Sequence, residues 1–137
     1  MNLITEKLLQ VVSDVTKIPA GVAFNIREDS ACAGRQSTEN IKILSKTDKP
    51  GIDIIVKPDT KNETVYIPAF VTHTNHEDLV YNDFYIGENA DVTVVAGCGI
   101  HNEGHANSLH NGIHRFFLGK NARVLYVDCL LYTSRCV

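Results

Sequence analysis

The chain contains no Cys-x-x-Cys pair, no His-x-His pair and no run of about 18 apolar residues, and its 13 Lys and Arg residues are scattered. Each absence removes a class of protein. Without the long apolar run there is no candidate membrane-spanning helix. Met1 to Lys7 lacks the charged start and apolar stretch of a signal peptide, so the expected location is the cytoplasm. Four cysteines, Cys32, Cys98, Cys129 and Cys136, have no close pairing and are read as reduced thiols rather than a disulfide framework. A net charge of −3 without a basic cluster gives no footprint for a nucleic-acid backbone. No G-x-S-x-G elbow, P-loop or dinucleotide fingerprint occurs, and a Cys98–His pair would lack an orienting third group, so the chain is read as a non-enzyme.

What is present is ordinary globular composition, 44% hydrophobic and 21% charged over 137 residues, which fits one domain. Ile4, Leu8, Val11, Val12 and Val15 fall at helical spacing and Pro19 with Gly21 ends the pattern, predicting a short helix within residues 1–20. After a Gly- and Ser-bearing stretch to residue 39, the period becomes two: Ile41 and Ile43, then Ile52, Ile54 and Val56, then Val65 and Ile67. The clusters Asp48-Lys49-Pro50-Gly51 and Pro58-Asp59-Thr60-Lys61-Asn62 between them are turn chemistry.

Two segments repeat one pattern. Phe84-Tyr85-Ile86-Gly87-Glu88-Asn89-Ala90-Asp91-Val92-Thr93-Val94-Val95 returns 32 residues later as Phe116-Phe117-Leu118-Gly119-Lys120-Asn121-Ala122-Arg123-Val124-Leu125-Tyr126-Val127, with six of twelve positions identical. A repeated strand, Gly-x-Asn-Ala turn and strand predicts stacked equivalent units, with Asn89 beneath Asn121 and Gly87 beneath Gly119. The two copies are expected to lie in one sheet. Hairpin dipeptides are scarce, Asn111-Gly112 being the only Asn-Gly. The expected class is all-β, a right-handed parallel β-helix with a short N-terminal helix; an antiparallel jelly roll is the alternative.

Between the repeats, residues 97–123 read as a loop-like run carrying Cys98, His101, His105, His110 and His114. Thiolate and imidazole are the donors of zinc, iron and iron-sulfur sites. Cys98, His101 and His105 are the candidates for holding a cofactor, and Cys98, His101, His110 and His114 for a metal. The spacing matches no zinc pattern, however. A bridging loop with satisfied histidines, and a Cys98 acting as a small core hydrophobe, remain open. His73 and His76, in a polar turn, are read as solvated.

The blocks Asn82-Asp83-Phe84-Tyr85-Ile86-Gly87, Ala96-Gly97-Cys98-Gly99-Ile100-His101-Asn102 and His110-Asn111-Gly112-Ile113-His114-Arg115-Phe116 resemble the SufB/SufD family of iron-sulfur cluster assembly proteins, in its short form. The similarity also takes in Gly21 to Arg27 and Asn40 to Pro58 and runs to about Val127. It implies a parallel β-helix core spanning residues 21–127, pairing with a SufB/SufD-type homologue, docking of a SufC-type ABC ATPase, and a transient iron-sulfur cluster as the product assembled. It does not fix which Cys or His residues are ligands. Residues 128–137 match nothing expected of that family and are read as a foreign or out-of-frame end, which would make the chain an N-terminal fragment; Cys129 and Cys136 are not credited with a role. The reading from another class is a cupin-like metal-binding protein or metalloenzyme that uses the Cys/His run.

Overall fold

The computed structural model describes residues 20–73, 77–101 and 108–132, with backbone alone at 129–132. The helix expected within residues 1–20 lies outside the described residues, which begin at Ala20 in a turn. From there the chain is all-β. Nine strands follow in order: β1 (Ala23–Glu28), β2 (Ala31–Gln36), β3 (Ile41–Ser45), β4 (Gly51–Val56), β5 (Lys61–Val71), β6 (Glu77–Ile86), β7 (Asp91–Ile100), β8 (Leu109–Leu118) and β9 (Arg123–Tyr132).

They form two mixed sheets, ordered β2-β1-β5-β7-β9 and β3-β4-β6-β8. From β5 onward each strand lies in the sheet opposite its predecessor, and β4, β5, β6 and β7 each pair in parallel with the strand two places later. Antiparallel pairing is confined to β1 with β2 and β3 with β4, at the start of the described chain. The jelly-roll alternative, which needs antiparallel neighbours throughout, does not match this pattern.

The alternating apolar positions enter the space between the sheets. Ile41, Ile43, Ile52, Ile54, Val56, Phe84 and Ile86 from one sheet meet Val65, Ile67, Val92 and Val94 from the other in one buried cluster. Partly buried Ala122, Val124 and Tyr126 pack against it.

The repeat corrects one expectation. The two copies do not share a single sheet; each straddles both. Phe84 pairs with Phe116 and Ile86 with Leu118 in one sheet, while Val92 pairs with Val124 and Val94 with Tyr126 in the other. The reason is that Gly-x-Asn-Ala is a corner between sheets, not a hairpin within one, so the 32-residue offset leads from each strand to its parallel neighbour in the same sheet.

At the corners the expected stacking is present. Asn121 Nδ2 donates to Asn89 Oδ1 at 3.3 Å, and Asn89 and Asn121 have φ of 60° and 59°, a left-handed conformation that Asn tolerates better than most residues. A Cβ on Gly119 would lie 2.7 Å from the Glu88 nitrogen, and one on Gly87 2.4 Å from the Pro58 nitrogen, so backbone rests directly on backbone there. That last contact exposes a third corner, Lys57-Pro58-Asp59-Thr60, whose Asp59 also has a left-handed φ of 64° and donates its N–H to the Glu88 carbonyl at 2.9 Å.

Two further expectations change. Where it is described, the run 97–123 is mostly strand: Gly97–Ile100 end β7, residues 109–118 are β8, and Asn111-Gly112 is strand rather than turn. Parallel partners on β5 and β6 satisfy the backbone that a Gly- and Asn-rich segment cannot satisfy alone. Likewise the stretch before residue 39 holds β1 and β2. At the other end β9 stays in register with β7 as far as Ile100 opposite Tyr132, so Val127 marks no break in the strand.

Candidate functional site

Away from the Gly-x-Asn corners, the inward positions of the same strands turn polar. Along β6 the sequence of inward side chains is Ile86, Phe84, Asn82, Val80 and Asp78; along β8, opposite it in register, Leu118, Phe116, His114, Gly112 and His110. The other sheet contributes Asn25 and Arg27 from β1, Ala96 and Cys98 from β7 and Asp128 from β9 to the same end. Of these, Arg27, Asn82, Cys98, His110, His114 and Asp128 line an open cavity of about 200 Å³ that also takes in Ile52 and Ile67.

Asp78 is its fixed point. The side chain is fully buried and accepts hydrogen bonds from Arg27 Nε at 3.0 Å and Arg27 Nη2 at 2.8 Å, from Ser30 Oγ at 3.0 Å and from His110 Nδ1 at 2.9 Å. Burial alone would raise its pKa. The bonds from His110, Arg27 and Ser30, with the guanidinium charge, outweigh that and hold the carboxyl well below the usual carboxylate range. Asp78 is therefore an anion that can only accept, which makes His110 Nδ1 the donor and leaves Nε2 as the ring's remaining group.

His114 repeats the arrangement one step along. Its ring lies among Phe84 at 6.1 Å and Tyr126 at 5.7 Å between centroids, and Phe84 stacks on Phe116 at 4.5 Å. Burial lowers its pKa, against a smaller opposing pull from Asp128, so the neutral ring is favoured. Its Nδ1 faces the Asn82 amide at 3.5 Å, and Asn82 Oδ1 is buried without a hydrogen-bond partner.

Cys98 lies on β7, buried with Val71 and Ile100. Burial, reinforced by the charges of Asp128 and Asp78, pushes its thiol up to about 12, so it is protonated at neutral pH. Of the residues singled out from the sequence, Cys98, His110 and His114 share this cavity, whereas His101 does not line it; its N–H donates to the Val71 carbonyl at 2.9 Å just past the end of β7. His105, His76 and Cys136 lie outside the described residues, as does the Cys129 side chain. His73 is exposed, 3.4 Å from Asp29. Among the described residues no three Cys, His, Asp or Glu side chains are gathered closely enough to hold a metal by themselves.

Sequence reasoning missed Arg27, Asp78 and Asn82. The signal was available: carrying the 32-residue offset back from Phe84 sets Asp78 against His110 and Asn82 against His114, which is the observed register.

A second polar cluster lies on the outer face of the β4-β6-β8 sheet. Asp83 is buried between Lys46 and Arg115, with Lys46 Nζ also 2.6 Å from Asp53. The Arg115 bonds, aided by Lys46 and opposed by burial, hold Asp83 below the carboxylate range. All four charges are matched there, which makes it a tie between strand and loop rather than a binding site. No helix of the described residues is long and apolar enough to cross a membrane. No family model, curated protein or solved structure matches this chain.

Proposed function

We propose that the chain is a scaffold subunit of cytoplasmic iron-sulfur cluster assembly, built on a right-handed parallel β-helix and without catalytic turnover of its own. The observation that carries this reading is the register: β6 and β7 pair in parallel with β8 and β9 at a constant 32-residue offset, which is how successive coils of such a helix stack and which agrees with the SufB/SufD resemblance. In the same reading the chain pairs with a SufB/SufD-type homologue and a SufC-type ABC ATPase.

The cluster is cargo here, and the donor set argues for sharing it. A cluster takes four thiolate or imidazole ligands. The described cavity supplies one thiol, Cys98, and two imidazoles, His110 and His114. The thiol must also lose its proton to bind iron, which requires the metal itself or a partner's positive charge close by. The remaining ligands would then come from the paired subunit.

The test is co-expression of the full chain with a SufB-type partner and the ATPase, followed by oxygen-free reconstitution with iron and sulfide. The expected result is a co-purifying complex with cluster absorption bands and acid-labile sulfide, both reduced in Cys98→Ala while the complex stays folded. Absence of a complex, or iron bound in one equivalent without sulfide, overturns the scaffold reading.

A further inference from the structure

On β8 the segment His110-Asn111-Gly112-Ile113-His114 places both imidazoles on the inward face, with a glycine between them. A side chain at that middle position would fill the space the two rings share. The Cβ direction of Gly112 meets His114 Nε2 at 2.9 Å and His110 Nε2 at 3.6 Å, so both nitrogens converge on one gap. Each ring is backed, on the neighbouring strand, by the residue opposite it in register: Asp78 behind His110 and Asn82 behind His114.

The two backing groups fix what the gap presents. Asp78 accepts a hydrogen bond from His110 Nδ1, for the reason already given. For His114 the amide of Asn82 can be turned over, which places the orphaned Oδ1 toward His114 Nδ1, and the proposed site takes that orientation. His114 then carries its proton on Nδ1. With both rings in the neutral form the Nε2 atoms face the gap as lone pairs, and two acceptors aimed at one space need a cation or a donor between them. A ligating histidine whose other ring nitrogen donates to a carboxylate or an amide oxygen is the usual arrangement around a bound metal.

We propose that His110 and His114 are the protein ligands of a divalent-metal site in the gap beside Gly112, with Asp78 and Asn82 as positioning residues that hold the ring tautomers. Imidazole nitrogens select zinc, cobalt or ferrous iron over magnesium or calcium. The open coordination positions face the cavity, where solvent supplies oxygen. The inference rests on two neighbouring strands and stands whether or not the chain assembles clusters.

The experiment is a titration of the full chain, under reductant and without oxygen, with Co²⁺ and then Zn²⁺, followed by calorimetry and by long-range ¹H–¹⁵N spectra of the imidazoles. One equivalent of metal is expected, lost in the His110→Ala/His114→Ala variant. Gly112→Ala keeps every polar group but puts a methyl into the gap, and is expected to weaken binding about tenfold or more with little change in melting temperature. Asp78→Asn and Asn82→Ala are expected to weaken it about 10- to 100-fold. The metal-free spectra are expected to show both rings with the proton on Nδ1. Undiminished Zn²⁺ binding in the double variant, or either ring protonated on Nε2 alone, overturns the proposal and leaves a water in the gap. Should Asp78→Asn fail to fold, Gly112→Ala and the tautomer spectrum decide.

Discussion

The two ends of the interior are built from the same strands and do different work. Near the Gly-x-Asn corners, every inward position of β4, β6 and β7 is apolar and fully enclosed: Ile54, Val56, Phe84, Ile86, Val92 and Val94. Away from the corners, β6 and β7 present Asn82 and Cys98 to an open cavity, joined there by Arg27, His110 and His114, with Asp78 of β6 buried behind Arg27 and His110. The apolar end gains its stability by removing surface from water, an effect nearly indifferent to pH. The polar end depends on one carboxylate satisfying a guanidinium, a hydroxyl and an imidazole at once. A chain that needed only stability would have continued the apolar pattern, since a buried ionic network is rarely more stable than hydrophobic residues of equal volume. That difference is the physical reason to place function at the far end.

The comparison is broken most strongly by removing its two anchors. Phe84→Ala, which loses a fully buried ring stacked on Phe116, is expected to cost about 3–5 kcal/mol in urea unfolding, equally at pH 5 and pH 8. Asp78→Asn leaves Arg27 without its counter-charge and is expected to cost about 3 kcal/mol at pH 7, with the loss shrinking in acid. A cost for Asp78→Asn that does not vary with pH would show that its charge is not what holds this end.

The sign of that pH dependence follows from Asp78 and Asp83, whose folded pKa values are both depressed. Their contribution is complete above the ordinary carboxylate value of about 3.9 and is lost as pH falls below it toward the folded values. Urea midpoints of the unaltered chain are therefore expected to fall steeply below about pH 4. In Asp78→Asn that fall is expected to be shallower, while Phe84→Ala keeps the full slope.

Smaller effects sharpen the account at the corners and at Cys98. Asn89→Val forces a β-branched residue into a left-handed φ and is expected to cost about 1–2 kcal/mol, whereas Asn89→Gly stays near neutral; equal costs would mean that the side-chain ladder to Asn121, not the backbone, matters most. At pH 8 a thiol with pKa about 12 is ionised in only about one molecule in ten thousand. Site-resolved mass spectrometry after iodoacetamide treatment is expected to find exposed Cys32 modified and Cys98 intact. Cys98→Ala is expected to cost about 1 kcal/mol.

Legibility in the sequence follows the same division. β3, β4 and the middle of β5 were readable because Ile41, Ile43, Ile52, Ile54, Val56, Val65 and Ile67 alternate with polar residues, and the Gly-x-Asn corners because their turn chemistry repeats. β1 and β8 were not, since Asn25, Arg27, His110, Gly112 and His114 occupy inward positions that an apolar pattern requires elsewhere. Polar residues facing inward look like a loop until the groups that satisfy them are known, and those groups lie 32 or 51 residues away in the chain. The third corner was legible as a turn from Pro58 to Asn62 but not as a copy of the other two, because Lys57 and Thr60 stand where they have Gly and Ala, although Asp59 keeps the left-handed turn.

Amide hydrogen exchange of the full chain, with and without one equivalent of Zn²⁺, tests the division between the two ends most directly. Binding at the polar end is expected to slow exchange at residues 78–82 and 110–114 while leaving 52–56, 84–86 and 92–94 unchanged. Uniform slowing across both ends, or none at residues 110–114, would contradict the assignment of binding to the polar end.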